Sequence, residues 1–216
     1  MSATDRPLRA DAERNRERIL SAAAEVFAER GLDVSMDDVA AAAGVGVGTV
    51  YRRFPDKDAL IDALFEEKIG HAAQLARDAL ELDDPWEAWT TFMRAMCAMN
   101  AADRGFKEAL LSRDRGHERV AAARNTIAPV AMELLERAQR AGAVREDLGT
   151  YDVPMMHLCV GLIADRTRDV APEYWERILT LLLDGAAAQA ARTPMPVDPI
   201  DRETFVEAMV SRRRRG

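Results

Sequence analysis

The stretch SMDDVAAAAGVGVGTVYRRF, residues 35–54, constrains this chain more than any other. It holds two short runs of helix-forming composition joined by Gly44, Val45 and Gly46. A connection that short makes the two helices cross steeply, and a steep, close crossing needs small residues. Ala40 stands four positions before Gly44, Gly44 is free to take a left-handed turn, and Val50 follows six positions later as an apolar plug. This is the arrangement of a helix-turn-helix. The flanks agree with it. The Ser35 hydroxyl is placed to accept from the Asp38 amide, and Val34 is spaced to pack on Val39 as a hydrophobic staple. Asp37 and Asp38 fall in the first turn, where the helix dipole favours negative charge. At the other end Phe54 precedes Pro55, which pushes it out of the α region and closes the second helix over residues 47–53.

The rest of the chain reads as helix too. Alternating Val/Ile/Thr runs are missing, while Ala, Leu, Arg and Glu abound, so the fold class expected is all-α. A first helix is expected over residues 12–30, with Ile19, Ala23, Val26 and Phe27 on one face and Gly31 as its stop. A fourth starts at the Asp56 cap with Lys57 as its first residue and runs to about residue 82 through Leu60, Ile61, Leu64, Phe65 and Ile69. Asp84-Pro85 opens the next, since proline suits the first helical position. Further helices are expected over 104–113, over 116–141 with a bend at Pro129, over 151–166 and over 172–191. Residues 193–200 form a proline-rich break, and 201–216 hold a last amphipathic turn or two and an arginine run. The organisation expected is a flexible arm (1–11), a helix-turn-helix domain (12–58), a larger helical domain (59–192) and a basic tail (193–216).

Charge argues against a simple nucleic-acid binder. The net charge is −7, and residues 1–60 carry nine Lys and Arg against eleven Asp and Glu. Any affinity for DNA must therefore come from the placement of a few cations and helix N-termini rather than from bulk charge. Cys97 and Cys159 sit in no metal or redox spacing and read as small buried hydrophobes. No leader and no membrane span is expected, which points to the cytoplasm. Enzyme chemistry finds little support. The histidines at 71, 117 and 157 are scattered, no Glu-x-x-His pair occurs, and neither a glycine-rich phosphate loop nor a nucleophile elbow is present. No cofactor is expected.

The words AAAGV, GTVY, RF and KDAL, in that order near the N-terminus, resemble the signature of the tetracycline-repressor (TetR) family of transcriptional regulators, over about residues 12–65. The resemblance implies a homodimer that binds palindromic double-stranded DNA and leaves it when a small, largely apolar effector enters the C-terminal domain. It implies that residues 47–53 lie in the major groove. Gly46, Val47, Gly48, Thr49, Tyr51 and Arg52 would then face DNA, with Ser35 and Lys57 on phosphate. Arg52 suits either guanine, through its fork, or phosphate. Gly46 stands where the family often has a hydroxyl, so one contact is missing there. Arg6, Arg9, Arg14, Arg16 and Arg18 are candidates for a flanking minor groove, the alternative being a solvated arm.

For the C-terminal domain the resemblance implies an effector pocket among the middle helices, with Trp86, Trp89, Met93, Met96, Phe106, Met132, Met156 and His157 as candidates against plain core. Val160 and Ile163, with Ile178, Leu182 and Gly185 on the next helix, are candidates for a dimer face, because both helices are apolar over more than one stripe. A DNA-binding protein that senses nothing is the rival reading, opposed by the length of chain beyond the DNA-binding unit.

Overall fold

A computed structural model describes residues 5–111, 118–189 and 193–210. Among these there are ten helices and no strand: α1 (Asp5–Arg30), α2 (Met36–Ala43), α3 (Val47–Arg53), α4 (Lys57–Leu80), α5 (Pro85–Ala102), α6 (Arg104–Leu111), α7 (Glu118–Arg140), α8 (Asp152–Thr167), α9 (Tyr174–Ala186) and α10 (Arg202–Val210). The class is all-α, with a small N-terminal unit of α1–α3 and a larger helical body beyond it.

Three boundaries differ from the sequence reading, each for an identifiable reason. Helix α1 begins at Asp5, so residues 5–11 are helical rather than a flexible arm. Pro7 stands in the first turn, where its missing N–H is no loss, and the Ala, Glu and Arg that follow are strong helix formers. Helix α4 stops at Leu80 because Arg137 of α7 collects its end: the guanidinium donates to the carbonyls of Leu80 at 2.8 Å and Asp83 at 2.8 Å, and to that of Leu82. Helix α9 ends at Ala186 rather than running to residue 191. Ala187 turns extended and pairs with Val144, with Arg145 N donating to Ala186 O and Ala188 N to Ala143 O, each at 2.9 Å. Tertiary pairing there overrides the helix preference of the alanines. The ends expected for the 104–113 and 116–141 helices, and the arginine run, lie outside the described residues.

One core runs through both units, from Ile19 of α1 through Phe65 of α4 and Trp89 of α5 to Leu183 of α9. Helix α4 packs chiefly on α7, α8 on α9 and α5, and α1 on α2 and α6. Helix α6 is pressed close to α1: a Cβ at Gly105 would lie 2.8 Å from the Phe27 Cβ and 2.9 Å from its carbonyl oxygen, so only glycine allows this approach. At the same end Glu108 accepts from the Leu32 amide at 2.6 Å and from Arg104 at 2.9 Å. Lys107 leaves α6 in the other direction, donating to Gly161 O at 3.2 Å and pairing with Asp165 of α8. Helix α6 is thus tied to the N-terminal unit on one side and to α8 on the other.

Candidate nucleic-acid interface and interior site

The corner between α2 and α3 is built as the spacing requires. Ser35 and Asp38 form a capping box: Ser35 Oγ accepts from Asp38 N at 3.1 Å, and Asp38 Oδ2 accepts from Ser35 N at 3.0 Å and from Ser35 Oγ at 2.5 Å. These bonds, the hydroxyl first, hold the Asp38 carboxyl below its usual range. Val34 and Val39 are both buried, as a staple needs. Gly44 takes φ +63°, a left-handed conformation costly for any residue with a Cβ, and lets α2 stop there. Arg18 donates to the Ala43 carbonyl at 2.8 Å, fastening α1 to the end of α2. This corrects the expectation for Arg18: its guanidinium serves the fold rather than lying free for a groove. Arg6 and Arg9 lie within α1, as do Arg14 and Arg16, whose side chains are also engaged.

Helix α3 touches the core through one fully buried residue, Val50, and is capped by extended Phe54, whose N–H donates to Val50 O at 2.9 Å. Val47 is half-buried against the core, so less of it is presented than expected. Gly46, Gly48, Tyr51 and Arg52 are exposed, Tyr51 by 49%, and Thr49 is half-buried. Arg52 Nη2 donates to Thr49 Oγ1 at 2.9 Å. Neither Gly46 nor Gly48 has any neighbour within 4 Å of the position a Cβ would take. Lys57, at the start of α4, is half-buried and donates to the Leu32 carbonyl, and Asp56 caps the same helix by accepting from Ala59 N at 2.7 Å. The ammonium therefore bridges the α1–α2 turn and the α4 start.

Among the interior candidates, Trp89, Met93, Met96, Phe106, Met156 and His157 are buried, and Trp86 is half-buried with its ring 5.7 Å from that of Trp89. Met132 is 41% exposed on α7, which removes it from any interior lining. Phe106, on α6, stands 5.7 Å from Phe65 of α4. His157 lies edge-on to Phe92, ring centroids 6.5 Å apart, and burial pushes its pKa down to about 4, so the imidazole is neutral. Asn100 and Lys107 are also buried. The sequence reading missed Asn100, although it falls on the face of Trp89, Met93 and Met96 at helical spacing. Lys107 was not, since nothing in RGFKEALL distinguishes it from a surface lysine.

On the expected dimer face, Val160 is fully buried within the subunit, which corrects its assignment to a partner-facing surface. Ile163, Ile178 and Leu182 are half-buried and Gly185 is exposed. The large exposed hydrophobics on these helices are Leu162 (46%), Leu181 (61%) and, at the start of α9, Tyr174 (45%). Cys97 is buried, with its thiol pushed up to about 12, whereas Cys159 is exposed, contrary to the expectation that both are interior. Among the described residues no helix is long and apolar enough to cross a membrane, and no cluster of His, Cys, Asp and Glu is grouped to hold a metal ion.

Two family models match the chain. The one described as bacterial regulatory proteins, tetR family, covers residues 19–64, and the one described as transcriptional regulator SbtR-like, C-terminal domain, covers 84–188. A TetR transcription regulatory protein from Mycobacterium vanbaalenii is 38% identical, with 84% of this chain and 99% of that one covered and a TM-score of 0.49. The chain belongs to the TetR family of transcriptional regulators. An HTH-type transcriptional regulator of Staphylococcus aureus is 36% identical over 89 residues, which are 40% of this chain and 46% of that protein. The match thus spans about half the length of that curated relative. The Bacillus subtilis regulator FadR, solved in complex with stearoyl-CoA, shares the fold at 21% identity and a TM-score of 0.55, with 78% of this chain and 98% of that one covered. In TetR terms α2 and α3 are the helix-turn-helix, and α4–α9 are the larger C-terminal part.

Proposed function

We propose that this TetR regulator binds a two-fold-symmetric DNA site as a homodimer, with α3 in the major groove, and that a small molecule held among the middle helices releases it. The observation that carries the DNA reading is α3 itself: a short helix held to the core by buried Val50 and half-buried Val47, with Gly48, Tyr51, Arg52 and Arg53 exposed beyond the Gly44 corner. Gly46, Gly48, Thr49, Tyr51 and Arg52 are the contact residues in this reading, with Val47 contributing its exposed edge. Ser35 and Lys57 flank them on the phosphate side. The missing net positive charge is met by local placement, since Arg52 and Arg53 stand in the last turn of α3 while Asp38 is occupied by Ser35 and Arg30.

For the partner subunit, Leu162 and Leu181 offer exposed apolar surface, flanked by Ile163, Ile178, Leu182 and Gly185. A two-fold dimer would set its recognition helices about 34–36 Å apart on successive major grooves. Release fits the position of α6, which is bonded to the α1–α2 turn by Glu108 and to α8 by Lys107. A ligand acts on that linkage only through its different affinity for the bound and free forms. The cytoplasm is the compartment this function needs.

Sedimentation of the protein with a duplex it selects tests the assembly. Two protomers on each symmetric site are expected, and a single protomer at saturation contradicts the dimer. A thermal-shift screen followed by a DNA-release assay tests the sensor reading. Ligands that stabilise the protein and weaken DNA binding support it, and their absence across broad chemistry leaves a regulator that senses nothing.

A further inference from the structure

Three buried side-chain atoms among the described residues have no hydrogen-bond partner in the protein, and all three lie on α5 or α8: Trp89 Nε1, Asn100 Oδ1 and His157 Nε2. Their residues are 0%, 4% and 9% exposed. A buried polar atom left unpaired opposes folding, and a native protein that keeps one gains something by it. Phe92 links Trp89 to His157 across the α5–α8 contact. His157 stands edge-on to Phe92, ring centroids 6.5 Å apart, and Phe92 is one turn of α5 from Trp89. Asn100 is eleven residues further along α5, roughly 16 Å away, beyond the reach of the same small group.

The surroundings fix the kind of group that would pair with the first two. Met93, Met96 and Met156 make the neighbourhood apolar and adaptable. The buried charge on the α8 side, Lys107, is already neutralised by Asp165 and bonded to Gly161 O, one turn of α8 from His157. An ionised ligand would find no counter-charge, and burying it unpaired is prohibitive. The Trp89 indole donates only, so the ligand atom facing it must accept. The buried imidazole is neutral, with one donor and one acceptor nitrogen.

We propose that Trp89 and His157 are the polar anchor of the effector site and select a neutral, largely apolar alcohol or phenol. The hydroxyl oxygen accepts from Trp89 Nε1, and the hydroxyl completes His157 Nε2 as donor or acceptor. The methyl isostere leaves both atoms unpaired, and the carboxylate brings a charge with no partner. This inference rests on the effector-responsive reading above and gives it a ligand class.

Two matched series test it by calorimetry on the full chain: phenol, toluene and benzoate, and naphthol, methylnaphthalene and naphthoate. The hydroxyl member of at least one series is expected to bind at least tenfold more tightly than its methyl and carboxylate counterparts. Trp89→Phe and His157→Phe are each expected to abolish that preference while leaving the affinity for the methyl member within about twofold. If a variant fails to fold, the wild-type order alone decides. Equal binding within both series, preference for the carboxylate, no binding by any of the six, or a hydroxyl preference that survives either substitution in a folded variant overturns the proposal. The sensor reading would still stand if a ligand of other chemistry releases DNA, and it falls only if none does.

Discussion

Arg52 donates to the Thr49 hydroxyl at 2.9 Å, one turn apart on the exposed edge of α3. The bond orients the exposed guanidinium along the helix, so that its fork has less freedom to lose on binding. If Arg52 reads guanine through O6 and N7, Arg52→Ala relaxes the preference at one base pair in each half-site, by about 1–3 kcal/mol. Binding measured across a set of single-base site variants checks this. Equal weakening on every variant assigns Arg52 to phosphate instead.

Lys57 should behave in the opposite way. Its ammonium stands at the α4 start on the Leu32 carbonyl, close to where a phosphate would meet the free amides of that helix. Lys57→Ala is expected to weaken all sequences alike and to lower the slope of affinity against salt by about 1. Fluorescence anisotropy over a salt series reads both effects.

Gly48 gives a test with opposed signs. It is a glycine inside a helix with open space where its Cβ would be, so the folded protein has no packing reason to keep it. Gly48→Ala is expected to raise stability by about 0.5–1 kcal/mol. If α3 comes close to DNA, the added methyl lowers affinity at the same time. Gly44→Ala, at φ +63°, is expected to lose about 1–2 kcal/mol. Thermal melts and DNA titrations of the two variants separate a residue kept for the fold from one kept for the partner.

His157 sets a pH window for stability. Its pKa is near 4 in the folded chain and about 6.5 when unfolded, so the unfolded chain binds the proton first. Stability is therefore complete above about pH 6.5 and falls as pH drops towards 4, by roughly 3 kcal/mol in total. Asp38 and Asp147 are lowered below their usual range, the first by Ser35 and the second by Arg145, so their own losses come at more acid pH. Melts between pH 7.5 and 4.5 should show the loss in the wild type and a flatter profile in His157→Gln.

What could be read from the sequence follows the range of the forces involved. The α2–α3 corner was legible because its determinants are local: a capping box within residues 35–38, a left-handed glycine, and a proline that closes α3. The starts of α4 and α5 were legible for the same reason, through the Asp56 and Asp84 caps. The end of α9 was not, because it is set by pairing with residues 143–145, some forty positions away. Apolar periodicity marked α8 as buried, yet it could not say which face stays within the subunit. Val160 turned inward and Leu162 outward, though both are equally apolar. Lys107 escaped notice because its partner, Asp165, lies on another helix.

The central claim is that α3 is presented so that its outer edge enters duplex DNA. Selection of bound duplexes from a random pool, carried out with the full chain at modest salt, tests it most directly. The account expects enrichment of one two-fold-symmetric site whose half-sites lie a helical turn apart, bound more weakly by Arg52→Ala and by Gly48→Ala. A pool that stays random after repeated rounds, or an enriched site that binds equally well when α3 is altered, would contradict it.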